Sequence, residues 1–449
     1  MKLYEQYKKE IAYLESIGNI EKQNNYMSDQ KNPEIYIKRL KFFLKLLGNP
    51  QTKIKKYIHI GGTSGKGSVA NFIHQIFVSS GKKTGLFTSP FVSETIEKYK
   101  INDKFISPKE FIKTINKLKP AINQCVVDSP FGIPSYFEIC FAIAILYFVN
   151  NNCQYIVSEV GCGGEFDATN IVKKSKISII THVDFDHVEM LGNTLSKIAT
   201  TKSKIIKPKS VFLTSEKRPY IRKIFIKQCK IKKTKFFYIK PKVKSIIHKR
   251  GQFSFIYKKE NYNIRLWGQH QVDNAILAIE TAKTLNVSIK YIKSGLQKTK
   301  IPGRFELIKK RPYVIFDVAH NPDKIKTTLD NLGLLNYKKL HIVYVSAANK
   351  DLDKISKSLA PFTDCLYLTK FFVPLRKCAN PKNLKKIWMK QNKNIKISTY
   401  LDPWNAMNKA IKNSKKDDCI IILGSFFLVG ELRKHWYPSE KILRTRKII

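Results

Sequence analysis

The sequence predicts an α/β protein of two domains, and three observations predict it. Short β-branched runs alternate with helical stretches from about residue 57 onward. One strand-to-helix junction, Gly61–Ser68, is dense in glycine. The rhythm stops at a Pro/Gly break, Ile301–Gly303, and then restarts. The expected division is a larger N-terminal domain over residues 1–300, with a parallel sheet covered by helices on both faces, and a smaller Rossmann-like C-terminal domain over residues 301–449.

Tyr57–Ile60 reads as the first strand. After the glycine-rich turn, Val69–Ser80 reads as a helix, because Val69, Phe72, Ile73, Ile76 and Phe77 fall on one face. Thr84–Thr88 is the next strand, Phe111–Leu118 and Tyr136–Asn150 are helices, and Tyr155–Val160 and Ile177–Val183 are buried strands. Residues 202–250 hold 18 Lys/Arg against one acidic residue, Glu216. They read as a solvated stretch of the same domain, with strands in VFLTS and KFFYIK. Gly268–Leu285 is an amphipathic helix. Beyond the break, YVIFDVAHNP, KLHIVYVSA, DCLYLTKF and CIIILGSFFLVGELR supply the strands of the second domain.

Composition narrows the class. Hydrophobic residues make up 43% of 449, enough for sizeable cores and against wholesale disorder. Lys+Arg number 82 and Asp+Glu 34, a formal charge of +48. That excess suggests nucleic acid, yet the lysines are spread over the chain together with abundant Ile and Asn, as a drift toward AT-rich codons produces. No apolar run reaches about 18 residues, so no membrane helix is expected. The first residues lack the apolar core of a signal peptide. The eight cysteines form no C-x-x-C pair and several sit in apolar runs. A reduced, cytoplasmic chain is expected.

Four constellations carry chemistry. Gly61-Gly62-Thr63-Ser64-Gly65-Lys66-Gly67-Ser68 lies between a strand and a helix. Glycines there let backbone N–H groups close around phosphate oxygens, the helix N-terminus adds positive potential, and Lys66 adds a point charge. The spacing shortens the usual G-x-x-x-x-G-K-[ST] loop and puts Gly67 after the lysine. A P-loop-type mononucleotide site is expected. Second, Glu159 closes a strand ahead of Gly161–Asn170, at the end where such sheets place ligands. Beside a phosphate loop it suits Mg²⁺, which takes one or two carboxylates and phosphate oxygens. Third, His182, Asp184, Asp186 and His187 crowd another strand end. That cluster fits either a metal-dependent hydrolase or a nucleotide site in which only one or two of the four act. Fourth, Arg304 stands at the hinge, where it could meet a developing phosphoryl charge, and Asp317 follows a strand of the second domain ahead of His320.

Together, Gly62–Ser68, Thr88-Ser89-Pro90, Tyr136-Phe137-Glu138, Glu159–Asn170, Asp186-His187, Pro302–Phe305, Asp317–Pro322 and Gly424–Glu431 resemble, in order, the folylpolyglutamate synthase and dihydrofolate synthase family. These are ATP-dependent amide-forming enzymes of the Mur ligase superfamily. The resemblance runs from about residue 40 to 435. It implies that Gly62, Thr63, Ser64, Gly65, Lys66, Gly67 and Ser68 hold ATP with Asn274, Arg304 and Asp317. It implies Mg²⁺ on Ser89, Glu159 and His187, a carbamylated Lys202, and catalytic roles for Lys66, Lys202, Arg304 and His320. It implies a pterin pocket from Ser135, Tyr136, Phe137, Glu138, Phe166, Asp167 and Ala168. The chain departs from the family pattern at Ser64, usually Asn; at Phe91, usually His; at Glu165, usually Arg; and at Ser203-Lys204, usually Ala-Gly.

The expected reaction adds L-glutamate to dihydropteroate and to reduced folates through an acyl phosphate. The runner-up is a folylpolyglutamate synthase alone. The other readings are a hydrolase built on the His/Asp cluster, and a nucleic-acid-binding ATPase built on the charge. The expected chain is a monomer that takes dihydropteroate, folates, glutamate and ATP, with no specific nucleic acid and no membrane partner.

Overall fold

The computed structural model describes residues 2–17, 32–249, 251–373 and 377–448. The first sheet holds β1 (Tyr57–Gly61), β2 (Thr84–Phe87), β3 (Tyr99–Ile101), β4 (Lys104–Phe105), β5 (Tyr155–Glu159), β6 (Ile177–Ile180), β7 (Val211–Thr214) and β8 (Lys235–Tyr238). Their order is β4-β3-β2-β5-β1-β6-β7-β8. β2, β5, β1, β6, β7 and β8 run parallel. β3 and β4 add an antiparallel edge. β1, β2, β5 and β6 are buried at every residue. Covered on both faces, such strands read as unbroken apolar runs, without alternation.

On one face Ile58 and Ile60 pack with Phe72, Ile76, Leu277 and Ile292, which come from three helices. On the other, Tyr57 and Phe87 pack with Leu14, Leu40, Phe111 and Phe141. The helix expected at Val69 begins at Lys66, because Gly65 already turns the chain at φ 87°. That difference puts Lys66, Gly67 and Ser68 on the first helical turn. The strand expected to reach Val183 ends at Ile180. The helix read as Phe111–Leu118 runs Pro108–Asp128, started by a reciprocal Ser107–Glu110 cap and continuing through Pro120.

The basic stretch 202–250 is an organised edge of the sheet, with a helix, Pro219–Lys232, between β7 and β8. Its reading as solvated needs correction at two points, since Lys202 and Lys207 are buried. A small antiparallel sheet then follows, of β9 (Ile246–Lys249), β10 (Gln252–Tyr257) and β11 (Glu260–Ile264). Burial alternates strictly along β10, so Phe253, Phe255 and Tyr257 face the core.

The second sheet holds β12 (Glu306–Lys310), β13 (Tyr313–Phe316), β14 (Leu340–Tyr344), β15 (Cys365–Leu368), β16 (Lys396–Thr399) and β17 (Cys419–Leu423). Its order is β12-β13-β17-β14-β15-β16, parallel except for β12. The last helix, Ser439–Thr445, returns to the first sheet: Ile442 and Leu443 join its core, and Phe105 N donates to the Arg446 carbonyl at 2.8 Å. Among the described residues no helix is long and apolar enough to cross a membrane.

Candidate active site

The loop after β1 is pinned to the end of β6, its neighbour in the sheet. Thr63 N donates to the His182 carbonyl at 2.6 Å, Thr63 Oγ1 to the Asp184 carbonyl at 2.9 Å, and Thr181 Oγ1 to the Ser64 carbonyl at 2.6 Å. Gly65 holds a left-handed conformation, and a Cβ there would stand 2.5 Å from Asn274 Oδ1. That close approach brings Asn274, on the helix Gln269–Thr284, against the loop. Lys66 Nζ donates to the carbonyls of Gly62 at 3.1 Å and Thr63 at 3.4 Å. Among the described residues the buried Ser64 hydroxyl has no hydrogen-bond partner.

Glu159 ends β5 beside β1 and accepts from Ser89 N at 3.2 Å. A Cβ on Gly67 would lie 3.3 Å from Glu159 Oε2, so the carboxylate rests on the helix's first turn. Burial raises its pKa, opposed by Lys66, the Ser89 N–H and Arg304. His187 starts the short helix Val188–Leu191 with φ 50°, and its Nε2 lies 3.8 Å from Asp186 Oδ2. Burial lowers the His187 pKa against the pull of Asp186, and Lys66 and Lys202 add to the lowering. Glu159 and Ser89 therefore touch, and His187 shares the field of Lys66 with them. Lys202 Nζ donates to the Gly62 carbonyl at 3.2 Å. Burial, then Lys66, brings its pKa down to about 8.

The His/Asp cluster is divided. His182 Nδ1 faces Glu216 Oε2 at 3.4 Å. The buried Glu216 also accepts from Val183 N at 2.9 Å and Arg218 Nε at 2.7 Å. Asp184 accepts from Phe185 N at 2.8 Å. Among the described residues no group of three His, Cys, Asp or Glu is placed to hold a metal ion.

The second domain brings Arg304, Asp317 and His320 to the same space. The Arg304 guanidinium lies over the Phe426 ring at 5.3 Å and feels Glu159 and Asp317. Asp317 accepts from Thr328 Oγ1 at 2.8 Å and Ala319 N at 3.0 Å. Burial pushes its pKa up to about 6. His320 Nδ1 lies 2.8 Å from the Val318 carbonyl and Nε2 lies 3.3 Å from Lys324 Nζ. Nδ1 therefore donates and Nε2 accepts, and burial, then Lys324, lowers its pKa to about 3.

The residues expected at the pterin pocket are spread over two settings. Ser135 N donates to Glu138 Oε2 at 2.6 Å, and the fully buried Glu138 pairs with Arg39 at 2.8 and 3.0 Å. Buried Asp167 accepts from Cys162 N and Thr169 N, each at 2.9 Å, and Ala168 is buried beside it. Phe137 packs on Gly161, where a Cβ would be 2.4 Å from its ring. Tyr136 accepts from Lys98 Nζ at 2.7 Å. Phe166 lines a cavity of about 480 Å³ with Tyr36, Met190 and Leu191.

Sequence reasoning passed over Lys324, Lys98, Arg39 and the part played by Glu216. Lys324 was findable, because it falls in the first turn of the helix that begins just after His320. Arg39 carries no local signal of a partner 99 positions away.

The middle domain of Mur ligases matches residues 60–282, and the glutamate ligase domain of Mur ligases matches residues 303–426. A dihydrofolate synthase/folylpolyglutamate synthase of Bacillus subtilis is 29% identical over 411 residues, covering 88% of this chain and 94% of that one. A folylpolyglutamate synthase structure from Mycobacterium tuberculosis, complexed with ADP and AMPPCP, shares the fold at a TM-score of 0.84 and 24% identity, covering 96% and 99% of the chains. A folylpolyglutamate synthase structure from Thermotoga maritima is 31% identical at a TM-score of 0.78, covering 92% of this chain and 95% of that one. With both domain models matched in order, the chain belongs to the folylpolyglutamate synthase and dihydrofolate synthase family of the Mur ligases.

Proposed function

We propose that this chain is an ATP-dependent ligase that adds L-glutamate to dihydropteroate and to reduced folates. The observation that carries the reading is that the Glu159 carboxylate, at a strand end, rests on the first turn of the helix that Lys66 begins, with Lys66 and Arg304, the latter from beyond the hinge, as the cations that act on it. Such an array suits phosphoryl transfer, where catalysis is mostly positioning and charge stabilisation. A substrate carboxylate oxygen bonds to the γ-phosphorus as the bond to the β,γ-bridging oxygen breaks, giving acyl phosphate and ADP. The glutamate amine then attacks the acyl carbon and phosphate leaves. Lys66 and the loop N–H groups hold the phosphates, and Arg304 meets the charge that develops on the γ-oxygens. We place the boundary between the two catalytic domains near residue 300, so that Arg304 moves with the second.

The Ser89 hydroxyl, the Glu159 carboxylate and the His187 imidazole are the donors we assign to Mg²⁺ beside phosphate oxygens; the Ser89 N–H bond to Glu159 and the lowered His187 pKa support the assignment. When bound, Mg²⁺ would neutralise phosphate charge. Phe166, Tyr136 and Phe137 are the groups we assign to the pterin, while Ser135, Glu138, Asp167 and Ala168 shape the walls behind them. We also read the chain as a cytoplasmic monomer.

ADP release from purified protein with ATP and glutamate tests the reading. Turnover with both dihydropteroate and tetrahydrofolate is expected. Turnover with tetrahydrofolate alone would make the chain a folylpolyglutamate synthase only, and turnover with neither would remove the assignment.

A further inference from the structure

Lys324 is a lysine whose place in the fold is costly three times over. It stands in the first turn of the helix Pro322–Leu332, with its own N–H capped by Asn321 Oδ1 at 3.0 Å. A cation there opposes the positive end of the helix dipole. Among the described residues it forms no ion pair, and its ammonium donates only to His320 Nε2 at 3.3 Å. It also lies near enough to Arg304, Lys66 and Lys350 that all three disfavour its charged form, with Asp186 the acid that acts the other way. Burial leads these effects, and its pKa falls to about 7. Two of the cations, Arg304 and Lys350, come from beyond the hinge; Lys66 comes from the phosphate loop of the first domain. His320, which meets the ammonium, and Arg304 both lie against the Phe426 ring, at 5.8 and 5.3 Å, so Lys324 stands on the same side of the second domain as Arg304.

Every one of these costs is reversed by an anion in the space between Lys324 and Lys66. Side chains in a helix lean toward its N-terminus, and that lean carries Lys324 back over His320 and toward the cleft. His320 is held in turn by its Nδ1 bond to the Val318 carbonyl, so Nε2 is left as an acceptor that fixes the ammonium.

We infer that Lys324 is a further catalytic residue, a second-domain cation that touches the terminal phosphoryl group of ATP opposite Lys66, with His320 as its positioning residue. The inference rests on the ATP-ligase reading and deepens it. Lys66 approaches the phosphates from the loop, and Lys324 closes on them from the other domain. The anion draws together two cationic surfaces that repel each other without it. Arg304 also meets the terminal phosphoryl oxygens, but its charge is shared with Glu159 and Asp317, and Lys324 adds a second cation from the same domain.

The test uses the full chain with Lys324→Met and Lys324→Arg. Calorimetric titration compares ADP with a non-hydrolysable β,γ-methylene ATP analogue, and turnover is followed by ADP release. Lys324→Met is expected to keep ADP affinity within about twofold, to weaken the analogue about tenfold and to lower kcat about 100-fold. Lys324→Arg, which retains the charge, should restore most of both. The melting temperature of Lys324→Met should equal or exceed that of the parent, since a cation leaves a helix N-terminus. Unchanged analogue affinity and kcat in Lys324→Met would overturn the inference. So would a rise in KM for glutamate alone, which would make Lys324 a contact to the incoming amino acid. If the parent chain turned over no folate acceptor, the ligase reading would fall, while the contrast between ADP and analogue would still decide whether Lys324 meets the terminal phosphate.

Discussion

Arg433 and Glu306 meet as a two-pronged pair, Nε to Oε2 at 2.9 Å and Nη2 to Oε1 at 2.8 Å, and the third guanidinium nitrogen reaches Ser93 Oγ at 3.3 Å. Ser93 belongs to the loop that follows Ser89-Pro90 in the first domain. The half-buried Glu97 carboxylate holds that loop by accepting from the N–H groups of Val92, Ser93 and Glu94 at 3.1, 3.0 and 2.9 Å. Gly430, one turn before Arg433, approaches so closely that a Cβ would stand 1.8 Å from the Val92 carbonyl oxygen. The loop bearing Ser89 is thus clamped to the helix Phe426–Arg433 of the second domain, and Glu97 serves as the loop's internal cap.

Arg433→Met should therefore loosen the joint and leave Glu306 unpaired. A loss of about 2–5 kcal/mol in urea unfolding is expected, as for truncation of a hydrogen-bonded charge pair at an interface. Gly430→Ala should lower kcat while leaving ADP affinity within about twofold, because the domains are pushed apart but the phosphate loop is untouched. Unaltered stability in the first variant, or unaltered turnover in the second, would show that the contact does not set the domain arrangement.

Lys202 is expected to carry a carbamate. A primary amine reacts with carbon dioxide only when unprotonated, and Lys202 is brought from 10.5 to about 8 by burial and by Lys66. Its neutral fraction rises as pH climbs through that value, so modification should increase from pH 7 to 9. Intact-mass measurement in bicarbonate should detect one added carboxyl group that is lost on acidification. Lys202→Ala should lose about 100-fold in kcat, with partial recovery in acetate. Lys202→Arg, a cation that cannot be carbamylated, should not recover.

Much of this site was legible because the chemistry that needs it is local. Gly62–Ser68 points to a phosphate loop from its glycines and its place between a strand and a helix, Glu159 closes a strand that can be read from its apolar run, Asp317 directly follows another, and His187 stands seven residues past the end of a third. The pterin wall was less legible. Tyr136-Phe137-Glu138 looks like one motif, but its side chains diverge along a helix, and Glu138 turns to Arg39 on a helix whose position only the tertiary fold decides. The basic stretch misled for a related reason. Composition cannot tell an exposed lysine from Lys202, which helix geometry turns inward onto the Gly62 carbonyl.

The Arg39–Glu138 pair invites a stability test. Both side chains are 1% exposed. Removing one partner of such a pair strands the other charge in the core, so Arg39→Met should cost about 3–5 kcal/mol in chemical unfolding. Arg39→Met with Glu138→Leu should recover a large part, because replacing both members removes the stranded charge. If the single and double variants were equally unstable, packing around the helices, and not the pair, would be responsible.

Glu216 should impose an acid limit on the first domain. Burial tends to raise its pKa, yet the bonds from His182, Arg218 and the Val183 N–H outweigh this and hold it well below the ordinary 4.5. A depressed carboxylate pKa means that the unfolded chain binds its proton more readily than the folded one. The stabilisation is therefore complete above about pH 5 and is lost as pH falls through 4.5 toward the depressed folded value. Glu138, Glu159 and Asp317 are shifted upward instead and have the opposite sign, so the parent's pH profile alone cannot isolate Glu216. The difference between parent and Glu216→Gln can. Melting temperatures should differ most at neutral pH and converge as the buffer is taken below pH 4, since the amide has no charge to lose. A difference independent of pH would mean that Glu216 acts through packing alone, and that the anchoring of His182 beside the phosphate loop does not depend on its charge.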